Sequence, residues 1–220
     1  MTSMFEEMLD ENNIRMAIRF SLDQIKNEVY YNPVQYDDFK SNTDMYVKKI
    51  QKRLINYKNF KTNLAMRAIK HKNEFAIRNM IILDMEDVVI RTVYGLILAN
   101  HLESKLINNC FSSKRGEQIS KNEKLFEDFA TCGWHNFCEW QGNSVNKYKY
   151  LLKTDISSFF DSISHEYIIS ALENEFCLTS TSPEILLMRK ILKVRHTLFE
   201  GDKPEEIKHG ITIGTFSNHV

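Results

Sequence analysis

The sequence predicts an α+β fold dominated by helices, and three observations predict it. Long stretches of the 220 residues run without glycine or proline and repeat their apolar residues at helical spacing. Two short segments, 74–83 and 150–154, have the length and apolar content of strands. The composition, 43% apolar with 7 glycines and 3 prolines, is that of a packed chain long enough for one large domain or two small ones.

Taken in order, the segment from Thr43 to Lys70 carries Val47, Ile50 and Leu54 at i, i+3 and i+7, which predicts a helix with one buried stripe. Glu74 to Leu83 then reads as a strand, with Phe75, Ile77, Ile81 and Leu83 partly alternating. A second long helix is expected from Asp84, as N-cap with Asp87 three residues on, to about Asn108. Its apolar face would hold Val89, Val93, Leu96 and Ile97. Tyr150 to Thr154 is expected as a strand ending on Asp155, and Ser164 caps a helix with Ile168, Leu172 and Phe176 that would pack behind it. Ser182-Pro183-Glu184 opens a further helix with a cap, a proline in the first turn and an acid at the positive dipole end. The expected division is an N-terminal helical segment 1–73, then 74–148, then 149–220.

The charges balance overall, 29 basic against 29 acidic, but not locally. From Met45 to Met80 ten Lys or Arg face one acid, Glu74, a surplus of +9, whereas Met1 to Asp44 has nine acids and four bases, a balance of −5. Positive charge interleaved with Tyr46, Tyr57, Phe60 and Phe75 suits a groove that follows phosphates. It equally suits a solvated helix face whose aromatics enter the core. Four cysteines in a chain of 220 fit reduced thiols in a cytosolic setting. Cys132, His135 and Cys138 lack a fourth zinc ligand at familiar spacing. No targeting signal is visible, and the apolar runs fall short of the roughly 20 residues a membrane span needs. The expectation is a soluble, cytoplasmic protein without membrane contact.

Chemistry concentrates in two strings. The first, Asp155-Ile156-Ser157-Ser158-Phe159-Phe160-Asp161-Ser162-Ile163-Ser164-His165, follows the apolar run and sets an aromatic ring five residues after a carboxylate. The second, His209-Gly210-Ile211-Thr212-Ile213-Gly214-Thr215-Phe216-Ser217-Asn218, spends two scarce glycines four apart, as a loop passing close to another group requires. In this order and spacing the pair resembles the first catalytic motif and the following Gly-x-Pro-x-Gly-x-x-x-Ser element of reverse transcriptases, with Thr212 at the proline position. The wording is most similar to the bacterial retron, group II intron and abortive-infection defence lineages.

The resemblance implies mostly helical fingers and a partial right-hand polymerase palm, with 74–148 as fingers and 149–220 as the first part of the palm. It implies two-metal nucleotidyl transfer, in which two Mg²⁺ ions about 4 Å apart clamp the attacking oxygen and the triphosphate. Asp155 would be the catalytic carboxylate and metal ligand, with the carbonyl of Ile156 as a second ligand. Phe160 would lie under the incoming sugar and exclude a 2′-hydroxyl. Arg78 and Lys72 would grip the triphosphate, while Gly210, Gly214 and Ser217 would line the nucleotide and template site. Lys70, Lys114 and Arg115 would contact nucleic acid. The implied partners are an RNA template, its DNA product and deoxynucleoside triphosphates. The further metal carboxylates of the family sit in a Tyr-x-Asp-Asp hairpin, a string these residues lack, so the expected activity needs a C-terminal half in cis or a second chain. The other readings are a catalytically inactive nucleic-acid- or partner-binding subunit derived from a polymerase, and an unrelated helical interaction protein.

Overall fold

The computed structural model describes residues 3–25, 32–106, 110–112, 125–126, 133–150, 152, 154, 156, 159–199 and 202–211, without the side chains of 70–73 and 76–79. The chain is mixed α+β and mainly helical, with one open four-stranded sheet. It begins with α1 (Met4–Leu9), α2 (Glu11–Ile25), α3 (Pro33–Ser41) and α4 (Thr43–Ile55). The first starts in a full capping box between Ser3 and Glu6, and Asn32 with Pro33 opens α3.

The long helix expected from Thr43 ends at Ile55, and Ala65 to Lys70 turns out to be strand. A hairpin overrides the helical pattern here: β1 (Ala65–Asn73) pairs antiparallel with β2 (Ala76–Ile82) from Met66 opposite Ile82 to Asn73 opposite Ala76. An irregularity interrupts the ladder between His71 and Asn73. Pairing satisfies two rows of backbone groups at once, which a weak helical propensity cannot match. The turn of this hairpin is Glu74-Phe75.

Next comes α5 (Met85–Leu102), started by Asp84, whose carboxylate accepts the Glu86 N–H at 3.0 Å. The expected single apolar stripe is too narrow a description. Val88, Val89, Ile90, Val93, Leu96, Ile97 and Leu98 are all buried, so the covered surface of the helix is far wider than one stripe. It packs on α2, α4 and α1, and the core holds Met8, Ile14, Ile18, Ile50 and Leu54 beside it. Each such aliphatic side chain contributes about 1.5–3 kcal/mol by leaving water.

After α5 a single 3-10 turn at Glu103–Lys105 replaces the expected continuation toward Asn108. Farther on lie α6 (Trp134–Lys147), the short α7 (Phe159–Ser162), α8 (His165–Phe176) and α9 (Pro183–Leu192). The helices expected after Ser164 and Ser182 both form where their caps stand, although neither serine bonds a helix N–H. Two short strands follow: β3 (Arg195–Thr197) lies parallel to β1, and β4 (Glu205–Glu206) pairs antiparallel with β3, giving the order β2-β1-β3-β4. None of the four comes from 150–154. The expected strand there is not formed among the described residues: Tyr150 and Leu152 are 82% and 88% exposed and no ladder receives them. An apolar run makes a strand only where a partner edge accepts its backbone.

Candidate functional site

The two motif strings meet. Ser162 ends α7, Ile163 and Ser164 turn the chain, and α8 starts at His165. Gly210 enters against it. Its N–H donates to the Ile163 carbonyl at 2.8 Å, the Ile211 N–H donates to the Phe160 carbonyl at 2.8 Å, and His165 Nε2 donates to the Gly210 carbonyl at 2.7 Å. The Gly210 backbone is left-handed, with φ +77°. A Cβ there would stand 2.7 Å from the Phe160 carbonyl oxygen and 2.9 Å from the Asp161 Cα, closer than any side chain tolerates. The close approach that this glycine permits is therefore to the backbone of the first motif.

Phe160 is half-buried and stacks edge-on against Phe159, 5.4 Å between ring centres. Ile156 is exposed. Asp155, Gly214, Ser217, Lys114 and Arg115 lie outside the described residues. Among the described residues no group of three His, Cys, Asp or Glu side chains could hold a metal ion. The described residues do not by themselves build a Mg²⁺ site. Cys132 is also outside them, while His135 and Cys138 are exposed and Cys110, Cys138 and Cys177 are free thiols.

Of the basic fingers residues, Lys70 stands directly opposite Arg78 in the β1–β2 ladder, with Lys72 at the irregularity next to it. Much of the remaining positive segment is occupied elsewhere. Arg53 spans Glu86 at 3.1 Å, Asp87 at 2.7 Å and the Lys61 carbonyl at 3.0 Å, while Lys49 holds Glu86 at 2.6 Å and Lys48 holds Glu11 at 3.0 Å. Tyr46 is buried against Phe39, and Phe60 is buried beneath the Arg53 guanidinium. For these residues the bland reading of the charge run holds. Asp87 is 2% exposed, and burial raises its carboxyl pKa despite the opposing pull of Arg53 and the Asn63 N–H, 2.6 Å away.

Two concavities flank the motif junction. One, about 540 Å³, runs between α8, α9 and 206–209, where Lys190, Lys193, Lys208 and His209 outnumber Glu166 and Glu206. Its Arg189 pairs with Glu166 at 2.7 Å. The other, about 410 Å³, is apolar and lies between α5, α7, α8 and α9, lined by Phe160, Ile163, Ile168 and Ile211 and by Arg91 and Tyr94 of α5. The Tyr94 hydroxyl donates to the Glu184 carbonyl at 3.1 Å, and burial raises its pKa. Sequence reasoning passed over Arg91, although a lone cation inside Val-Val-Ile-Arg-Thr-Val-Tyr was the available signal. No helix among the described residues is long and apolar enough to cross a membrane. In comparison with known proteins, no family model matches the chain and no curated protein matches its sequence.

Proposed function

We propose that the chain forms the fingers and first part of the palm of a reverse transcriptase, an RNA-directed DNA polymerase working in bacterial antiviral defence. The observation that carries this is the docking of Gly210 on the carbonyls of Phe160 and Ile163, which brings together two strings 45 residues apart at their His165 and Gly210 ends. A chance resemblance of two separate strings gives no reason for them to interlock through a glycine that nothing else can replace. The cleft with Lys190, Lys193 and Lys208 fits a phosphate backbone beside the junction.

In this reading Asp155 supplies the carboxylate for Mg²⁺ and the other metal carboxylates come from a downstream segment or a second chain. Phe160 serves as the sugar gate, a role that rests on the resemblance, since its ring packs half-buried at the apolar cavity. The protein expressed from its complete gene should incorporate deoxynucleotides with Mg²⁺, and Asp155→Asn should abolish incorporation. Phe160→Ala should admit ribonucleotides; an unchanged sugar preference would remove the gate from the account.

A further inference from the structure

Arg91 is 7% exposed and makes few polar contacts among the described residues. Asp87, one turn earlier on α5, attracts it across space, but both Asp87 oxygens are hydrogen-bonded elsewhere: one to the Arg53 guanidinium, the other to the Asn63 N–H. Arg91 keeps a single hydrogen bond among the described residues, from Nη2 to the Ile191 carbonyl, and its Nε is buried with no partner. Desolvation lowers its pKa to about 10, still well above neutrality, so the guanidinium stays charged. A buried guanidinium N–H without a hydrogen-bond partner carries a desolvation cost that a fold rarely tolerates without return.

The apolar cavity of about 410 Å³ opens beside it. Leu98, Leu102, Ile168, Leu172, Met188 and Ile211 supply its walls, with Arg91 as the charged group among them. Small-molecule sites share this chemistry: an apolar volume of a few hundred Å³ and one or two fixed polar groups. We propose that this cavity binds an anionic amphiphile of the fatty-carboxylate class, its chain against the α5, α8 and α9 side chains and its carboxylate on Arg91. A guanidinium favours the bidentate arrangement in which a carboxylate accepts from two of its N–H groups. A free carboxylate fits better than a membrane surface, because the cation lies inside the fold and a lipid headgroup held in a bilayer would not reach it. Neither Asp155 nor a nucleotide enters this assignment, so it survives or fails apart from the polymerase reading.

Calorimetric titration of the purified chain with dodecanoate, dodecanol and vesicles of anionic phospholipid tests it. Dodecanoate should saturate one site, and dodecanol should bind about tenfold or more weaker, as a lost charge-assisted hydrogen bond implies. Arg91→Met should erase that preference while the variant melts no lower than the parent, because it removes a desolvated charge. Ala171→Phe, at an exposed position on the cavity rim, should exclude both ligands and leave folding intact. Absence of saturable dodecanoate binding, equal affinity for dodecanol, an Arg91→Met variant that keeps the preference, or binding to vesicles alone would each overturn the proposal.

Discussion

Around the N-terminal turn of α5 each strong charge is answered: Arg53 reaches Glu86 and Asp87, Lys49 reaches Glu86, and Asp84 takes the Asn63 side-chain amide at 2.8 Å. Farther along the same helix Arg91 meets one carbonyl and then open apolar space. The first region is a closed network that ties α4, the chain before β1 and α5 into one body. The second leaves a cation, a cavity and the exposed rings of Phe159 and Tyr167 uncovered. Positive charge therefore does two jobs around α5: Arg53 and Lys49 of α4 pair with its first-turn carboxylates and fix the fold, while Arg91 on α5 itself keeps an N–H without a hydrogen-bond partner among the described residues.

Removing Arg53 should break the closed region most severely. Arg53→Met strands the buried Asp87 carboxylate and should cost about 3–5 kcal/mol in denaturant unfolding near neutral pH. The Asp87 pKa is already raised by burial, and loss of the guanidinium raises it further. A folded-state value above the unfolded one means that the charged form is penalised at high pH and relieved as pH falls. The deficit of the variant should accordingly shrink on acidification, and a pH-independent deficit would contradict this account of Asp87.

Second in size is the motif junction. Gly210→Ala combines a positive φ with a contact of 2.7 Å to the Phe160 carbonyl, and should destabilise by about 2 kcal/mol or more. It should also impair any activity of the site, whereas Gly142→Ala, with open space around its Cβ, should change neither.

Smaller again is the Asp38–Tyr46 pair on α3 and α4. The Tyr46 hydroxyl, then Asn42, hold the Asp38 carboxyl below its ordinary value, and the same bond pushes Tyr46 up to about 12. The carboxylate's contribution is present above the ordinary Asp range and lost as pH falls through the lowered value. The tyrosine's is present below its ordinary pKa and lost as pH rises toward about 12. Tyr46→Phe should flatten both edges of the stability–pH curve, measured by melting temperature. Smallest is Cys177→Gly at the C-cap of α8, where φ is +52°: a gain of about 0.5–1 kcal/mol is expected.

Local signals in the sequence carried the helices that begin at caps. Asp84, Ser164 and Ser182-Pro183 each stand where a helix starts, although only Asp84 accepts a helix N–H; at Pro183 the preset φ of the first turn serves instead. The sheet was less legible. Ala65 to Lys70 lacks glycine and proline and is expected to continue the helix, yet Met66 to Lys70 pairs with 78–82, and β3 and β4 are short strands defined only by the edges they join. The two glycines are expected to let the loop approach nucleotide and template, whereas the described close approach of Gly210 is to the first motif's own carbonyls. Arg91 became meaningful only once Asp87 was seen to be committed to Arg53, a three-residue relation across two helices that no linear pattern encodes.

The most direct test of the polymerase reading is Mg²⁺-dependent incorporation of labelled deoxynucleotides by the protein expressed from its complete gene, compared with its Asp155→Asn variant at matched melting temperature. Incorporation by the parent and none by the variant is the expected result. Equal incorporation by both, or none by the parent, would contradict it.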